Sequence, residues 1–316
     1  MREYLLKRIM LILPTLFVVT LFVFLMIRLI PGDVVMQMLE GYAYADTVEA
    51  LRKELGLDKP FYVQYGTWIA GILLHADLGK SLWTKQDIRT EFFNRFPVTL
   101  ELALFTILVS ILFGIPIGVL SAVRQDTWLD YVGRTVAILA LAIPYFWLSI
   151  LVVVLPSIYF RWTPVWTYVS LLENPLENIK IFLVPAAVFG VTRAGPIMRI
   201  MRSSMLEVQR QEYIRTARAK GLSEKVVIFR HALKNALIPV VSLISIQMPL
   251  YLGGSVIMES IFRLPGIGLF FFEALIRRDY PVVQSLNLIV ASLVILLNLV
   301  VDLSYAYLDP RIRYGR

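Results

Sequence analysis

The sequence predicts an all-α, polytopic membrane protein with six transmembrane helices and with both termini in the cytoplasm. Apolar residues make up 58% and charged residues 17% of the 316 residues, whereas soluble domains average roughly 45–50% and 25%. Several apolar runs reach the ~20 residues that a helix needs to cross the hydrocarbon core. Basic residues are concentrated in some of the connecting segments, and the positive-inside rule places those segments in the cytoplasm.

Composition also excludes several kinds of chemistry. The chain has a net charge of +8 and no cysteine, so neither a disulfide framework nor a thiolate site is possible. His75 and His231 are too far apart in sequence to give a metal-ligand spacing. We therefore expect no metal site. The excess positive charge is explained by membrane topology, and we expect no nucleic-acid partner.

The first predicted span, Ile9–Ile30, follows Arg2, Lys7 and Arg8. Together with these basic residues it forms a predicted N-terminal segment, residues 1–30. A cleaved signal peptide is the alternative, because Ala43–Ala45 resembles a cleavage site. That site lies too far beyond the apolar run, which is itself longer than the usual ~7–15 residues of a signal peptide.

Residues 31–97 form a predicted hydrophilic insert with short helices over Asp46–Leu55 and Tyr62–Leu74. Within it, Gly79-Lys80-Ser81 imitates the end of a phosphate-binding loop. The earlier glycine of that motif is replaced by Leu74, and no apolar strand precedes it. We therefore predict no nucleotide binding by this segment.

Residues 98–316 form a predicted core of five spans. The second and third spans are Val98–Val123 and Val132–Tyr159, and the connection between them is basic, which favours the cytoplasmic side. Pro144 lies within the third span and removes a backbone hydrogen bond. A bend around a cavity and a plain packing kink both fit this proline.

The fourth predicted span, Ile179–Met198, carries Arg193 near its inner end. An arginine can reach the interface from such a position, so the sequence favours an interfacial role over a role as a substrate ligand. The following loop, residues 199–236, is the most basic connection, with nine Lys or Arg against three acidic residues up to Asn235. This loop is therefore predicted to be cytoplasmic.

The fifth predicted span, Leu237–Val256, is interrupted by two prolines, and the sixth is Val282–Tyr307. A helix with so many prolines, glycines and polar residues either lines a pathway or packs through small residues, and both interpretations remain open. The candidate residues of a translocation path or gate are Tyr145, Gln247, Pro249, Tyr251, Gly253 and Gly254.

Within the basic loop, the pattern predicts two short helices. Tyr213, Ile214, Ala217 and Gly221 follow helical spacing on one face of the first helix. Gly221 also suits the end of this helix, because glycine readily adopts a left-handed conformation. Ser223 is the predicted N-cap of the second helix. The apolar stripe expected on that helix consists of Val226, Phe229, Leu233 and Leu237. A solvated basic loop is the alternative.

Several separated motifs resemble one family, the permeases of ABC importers, and in detail its dipeptide, oligopeptide and nickel branch. Tyr213, Arg215–Gly221 and Arg230–Asn235 resemble the coupling loop of these permeases, although the acidic residue that often opens the motif has only the nearby Glu212 as a counterpart. The outer segment 258–281 and the basic tail also match. The residues that carry the match in the outer segment are Glu259, Phe262, Pro265, Gly266, Arg278 and Asp279.

The resemblance implies a type I ABC importer permease fold, multi-pass in the cell inner membrane, and a non-catalytic subunit. It implies a second homologous permease, an external solute-binding protein facing residues 31–97, and two ATP-binding subunits. Those subunits would bind ATP and Mg, so no cofactor is expected in this chain. The residues implied to dock on an ATP-binding subunit are Glu212, Tyr213, Arg215, Ala217, Ala219, Gly221 and Leu222.

The resemblance makes peptides the first expectation for the substrate and leaves nickel chelates, glutathione and oligosaccharides open. A secondary transporter driven by an ion gradient is the alternative from another class, but the acidic residues within spans, Glu101 and Asp302, lie near span ends. A helix-turn-helix DNA-binding protein is excluded by geometry, because the second helix of the loop continues into the membrane.

Overall fold

The computed structural model describes residues 2–29, 34–39, 45–163 and 167–308. All of the regular elements in these ranges are helical. Ala43 and Tyr44 of the candidate cleavage site and the basic tail after Leu308 lie outside the described residues.

Thirteen α-helices and one π-helical segment follow one another through the described ranges. They are α1 (Arg2–Leu29), α2 (Val34–Met38), α3 (Ala45–Glu54), α4 (Phe61–His75), α5 (Ile88–Val123), α6 (Trp128–Ala142), α7 (Tyr145–Phe160), α8 (Pro175–Gln209), α9 (Glu212–Ala219), α10 (Glu224–Val226), the π segment (Val227–Ala232), α11 (Leu233–Phe262), α12 (Ile267–Ile276) and α13 (Tyr280–Leu308).

Five helical stretches are long and apolar enough to cross a membrane, and the number rises to seven if each of two bent helix pairs is one span. The five lie in α1, α5, α8, α10–α11 and α13. One bent pair is α6 with α7, and the other is the end of α11 with α12. The six predicted spans correspond to the five single stretches and the first bent pair.

The third predicted span is broken at Pro144, the residue for which the sequence left a bend and a kink open. Helices α6 and α7 meet at 91°, and both residues at the break, Ile143 and Pro144, have extended backbone. The proline ring disfavours helical backbone at the residue before it, and proline itself has no N–H for the helical ladder.

Of the other predicted elements, one pair is confirmed and two differ from their prediction. The short helices of the insert are confirmed as α3 and α4. The predicted break of the fifth span is wrong, because α11 runs without interruption through Pro239 and Pro249. Helix α8 continues to Gln209, eleven residues beyond the predicted end at Met198.

The chain forms two compact units, one of residues 1–97 with 265–316 and one of residues 98–264. The predicted division into residues 1–30, 31–97 and 98–316 stays a prediction. In the first unit α1 packs along α13, and α12 also packs on α13. Its apolar core joins the insert to α13 through residues such as Val34, Ile88 and Val282.

In the second unit α8 is the central helix and packs on α6, α7 and α11. It contributes to three apolar clusters, of which the smallest joins its residues Ala194 and Met198 to Ala137 of α6. The outer cluster contains Ile181, Phe182, Val188 and Phe189 of α8. The inner cluster, nearer the basic loop, contains Ile197, Met201 and Met205 of the same helix. The step along α8 from Phe189 of the outer cluster to Ile197 of the inner cluster is a little more than two helical turns.

Candidate functional site

The candidate coupling loop, residues 199–236, contains the end of α8, then α9, α10, the π segment and the start of α11. The predicted stop at Gly221 is confirmed, since its φ is +75°. The Gly221 amide donates to the carbonyl of Arg218 at 2.9 Å and the Leu222 amide donates to that of Ala217 at 3.4 Å. These two bonds form a Schellman motif, for which glycine is the favoured residue.

The start of the second helix differs from its prediction. Ser223 occupies the N-cap position with extended backbone, but its side chain makes no capping hydrogen bond. An ion pair bridges the turn instead, because Arg218 Nε lies 2.8 Å from Glu224 Oε1. Both side chains are well exposed, so this pair adds little stability of its own.

The apolar stripe predicted for the second helix was partly wrong. Val226 and Phe229 are exposed, while Leu233 and Leu237 are only partly buried. The buried positions are Val227, Ala232, Ala236 and Val240. The π segment over residues 227–232 explains the change, because a π-helical turn has one extra residue and shifts every later side chain around the helix axis.

Helix α9 packs part of its predicted face against its own chain, while Tyr213 and Gly221 of that face are exposed. Ile214 and Ala217 are buried in the inner cluster with Met201 and Met205 of α8. In this conformation Ala217 is therefore closed to a partner. The predicted docking residues that are exposed are Glu212, Tyr213, Arg215, Ala219, Gly221 and Leu222.

Two further contacts hold α9 in place. Asn235 of α11 donates through Nδ2 to the hydroxyl oxygen of Tyr213 at 2.6 Å. Within α9, Arg215 pairs with Glu212 at 2.8 Å. Since the inner cluster also contains Val119 and Ala122 of α5, α9 is fixed to α5, α8 and α11 together.

A buried carboxylate joins α5, α6 and α8. Asp130 is fully buried, and Arg202 donates to both of its oxygens, each at 2.7 Å. The hydroxyl of Ser121 donates to the same carboxylate. A bidentate arginine pair of this kind fixes the geometry strongly. Sequence reasoning missed it, because no local pattern connects residues 130 and 202.

The candidate path residues fall into different environments. Tyr251 and Gln247 are buried, Tyr145 and Pro249 are half-buried, and Gly253 is exposed. The surroundings of Gly254 lie outside the described residues. Tyr145 and Tyr251 both contact Phe189, with ring centroids 5.0 and 6.3 Å from the Phe189 ring.

Arg193 lies among these three rings. Its guanidinium carbon is 5.0 Å from the centroid of Phe189, 5.8 Å from that of Tyr145 and 6.0 Å from that of Tyr251. These distances are within the range of a cation–π interaction. The Nε atom is enclosed and has no hydrogen-bond partner. An enclosed donor without a partner costs about 1–3 kcal/mol.

The outer segment contributes residues with structural partners. In the second unit, Glu259 is buried and accepts from the Thr99 hydroxyl at 2.7 Å, and Phe262 is also buried. In the first unit, Asp279 accepts from the Leu82 amide at 3.1 Å and from the Ser81 hydroxyl at 2.5 Å. Asp279 therefore fastens the insert to the start of α13.

The other predicted residues of the outer segment also belong to the first unit. Pro265 and Gly266 precede α12, with Gly266 as its N-cap. Arg278 has a φ of +54° in the turn between α12 and α13. The function predicted for these outer residues stays a prediction.

Glu101 is occupied by neighbouring groups. It accepts from Asn178 Nδ2 at 2.7 Å and from the hydroxyl of Tyr168 at 3.2 Å. Burial raises the pKa of the Tyr168 hydroxyl, and the nearby Glu101 carboxylate raises that pKa further. No group of three His, Cys, Asp or Glu side chains that could hold a metal occurs in the described ranges.

Comparisons with known proteins define the class. Residues 114–314 match the family described as binding-protein-dependent transport system inner membrane component. Residues 1–103 match the N-terminal family of membrane components of the same systems. The chain belongs to this family, and it is a multi-pass inner-membrane permease of a binding-protein-dependent importer.

Named relatives lie in the peptide branch of ABC importer permeases. The chain is 42% identical to the di/tripeptide transport system permease protein DppB of Pseudomonas aeruginosa (strain UCBPP-PA14), over 100% of both chains. It is 39% identical to the dipeptide transport system permease protein DppB of Escherichia coli (strain K12), again over 100% of both. A crystal structure of an amino acid ABC transporter with histidines matches 71% of this chain and 95% of that chain, with a TM-score of 0.51 and 12% identity. This last similarity concerns the fold alone.

Proposed function

We propose that this chain is the non-catalytic transmembrane subunit of an ATP-driven importer of dipeptides and oligopeptides. Its proposed partners are a second homologous permease, two ATP-binding subunits that bind ATP and Mg, and an external solute-binding protein. The observation that carries the proposal is the identity of about two residues in five with peptide permeases along the whole chain.

The proposed coupling element is α9 with the turn that follows it. Its exposed residues would seat in a cleft on one ATP-binding subunit, while Ile214 and Ala217 hold the helix to α5, α8 and α11. Because α9 is fixed to three long helices, a movement of the cleft in which it sits would be transmitted to them. Such transmission requires only that the position of this cleft differs between the nucleotide states of the ATP-binding subunits.

Peptides are the proposed substrates because the relatives are named for peptide transport. Nickel chelates, glutathione and oligosaccharides remain the alternatives for the same architecture. Coupling to an ion gradient is the alternative mechanism. It is less well supported, because the Glu101 carboxylate is engaged by Asn178 and Tyr168, whereas a proton-coupling acid must bind and release its ion.

Co-purification tests the assembly and the coupling loop together. The tagged chain is purified from its native host in mild detergent, as the wild type and as Gly221→Arg and Gly221→Asn. A Cβ atom at Gly221 would point into open space, with nothing within 4 Å. A bulky side chain there is therefore expected to obstruct a docked partner. Asparagine is the matched control, because it tolerates the left-handed conformation.

We expect the wild type and Gly221→Asn to retain the ATP-binding subunits and the second permease. Gly221→Arg should retain the second permease and lose the ATP-binding subunits. If Gly221→Arg keeps those subunits with full transport, α9 does not dock as proposed. If the wild type purifies alone, the proposed assembly itself is wrong.

A further inference from the structure

Polar residues converge between the outer and inner apolar clusters of the second unit. This polar layer consists of Thr106, Ser110, Arg193, Gln247 and Tyr251. Its residues come from α5, α8 and α11, and all three helices belong to candidate membrane spans. Polar groups within membrane-spanning helices are costly and usually functional.

Short contacts place these residues at one level. Gly190 of α8 lies against Thr106 and Val109 of α5, and Arg193 follows Gly190 by one helical turn. The Tyr251 hydroxyl is 3.4 Å from the Ser110 hydroxyl, and the Tyr251 ring faces Arg193. Gln247 lies one turn before Tyr251 and therefore on the same side of α11.

Three atoms of the layer are enclosed without a hydrogen-bond partner, namely Arg193 Nε, Gln247 Oε1 and Thr106 Oγ1. Arg193 forms no ion pair with an acidic side chain of the described part of the chain. Three aromatic rings surround the guanidinium instead. The layer therefore contains a half-buried cation without a counter-ion and a buried carbonyl acceptor without a donor.

We propose that Arg193 binds the terminal carboxylate of the transported peptide during its passage. A guanidinium recognises a carboxylate through paired hydrogen bonds, and the free oxygen of Gln247 complements a peptide N–H. The rings of Tyr145, Phe189 and Tyr251 position the guanidinium and exclude water around it. This inference rests on the proposed function, because it presumes that the substrate is a peptide.

The test uses the complete importer in proteoliposomes, with alanyl-alanine and its C-terminal amide as probes. The affinity of each probe for the isolated solute-binding protein is measured first. For the wild type, we expect the uptake ratio of free acid to amide to exceed the ratio of the two binding affinities. If the two ratios are equal, the permease does not recognise the carboxylate. This wild-type result alone overturns the inference.

The variants are Arg193→Gln, Arg193→Lys and, as a matched control on the same helix, Arg199→Gln, whose native side chain is exposed. Arg193→Gln should lower the uptake ratio of acid to amide by about tenfold or more, because the paired, charge-assisted hydrogen bonds of the guanidinium are lost. Arg193→Lys keeps the charge and should keep part of the preference. Arg199→Gln should leave the ratio unchanged.

The outcomes separate this inference from the proposed function. An equal loss of uptake for both probes in Arg193→Gln indicates a structural role for the arginine and overturns the inference. An unchanged ratio in Arg193→Gln overturns it as well. If the wild-type importer takes up neither probe although the solute-binding protein binds both, the proposed function is wrong. That result does not depend on Arg193.

Discussion

At the scale of residues, glycines set how closely the central helices approach one another. A Cβ atom at Gly118 would lie 2.7 Å from Met201 Cβ and 2.8 Å from the carbonyl oxygen of Met198. Gly114 and Gly190 meet similarly close neighbours. Membrane helices associate through small residues of this kind, since lipid is as apolar as their side chains.

Gly118→Ala should therefore destabilise the protein by about 1–3 kcal/mol, because backbone and Cβ atoms must move to admit one methyl group. The measurement is the midpoint of thermal unfolding of the purified chain in detergent. Gly66→Ala is the control, since a Cβ there meets nothing within 4 Å. A Gly118→Ala midpoint equal to that of the control would show that α5 and α8 are not in close contact.

The buried carboxylate of Asp130 gives a second prediction at this scale. Asp130→Asn leaves Arg202 without its charged partner, and Arg202 is 21% exposed. We expect a loss of about 2–4 kcal/mol, somewhat below the range for a fully buried pair. Glu177→Gln, which breaks the exposed pair with Lys180, should cost less than about 1 kcal/mol. Equal unfolding midpoints for the two variants would contradict the anchoring role of Asp130.

At the scale of elements, the helices of the coupling loop are held to one another and to the neighbouring long helices by several contacts. The Schellman turn ends α9, the π segment rotates the start of α11, and the inner cluster fastens both to α5 and α8. The hydrogen bond from Asn235 to Tyr213 is the direct polar tie between α9 and α11 in the described loop.

Asn235→Ala removes that tie from the α11 side and leaves Tyr213, a proposed docking residue, and the apolar face of α9 unchanged. If coupling needs a stiff loop, the ATP-binding subunits should stay bound while the substrate imported per ATP hydrolysed falls roughly two- to tenfold, the effect of one hydrogen bond. Asn94→Ala in α5 is the control, because Asn94 is exposed. An unchanged ratio in Asn235→Ala would mean that stiffness at this point is not required.

Sequence patterns predict elements better than they predict register and partners. Hydropathy predicted the long spans, and the position of Gly221 predicted the end of α9. The π segment could not be predicted, because it depends on the packing of Val227 and Ala232 in the tertiary structure. Arg193 was placed near the end of a span because the apolar run ends at Met198, although α8 continues to Gln209.

At the scale of the whole molecule, the absence of cysteine from the sequence gives a direct test of topology. In right-side-out vesicles, a membrane-impermeant maleimide should label Leu172→Cys, since Leu172 is 94% exposed in the connection between α7 and α8. Ser223→Cys in the coupling loop should react only in inside-out vesicles. Labelling of both positions from one side would contradict the predicted arrangement of the loops.

This permease is proposed to import peptides with energy from ATP. The most direct measurement is uptake of labelled alanyl-alanine by proteoliposomes containing the complete importer, with ATP supplied to the ATP-binding subunits, or with a proton or sodium gradient and no ATP. We predict uptake that requires ATP and the solute-binding protein and that persists when the gradients are collapsed. Uptake that follows an ion gradient without ATP would contradict the claim and favour a secondary transporter.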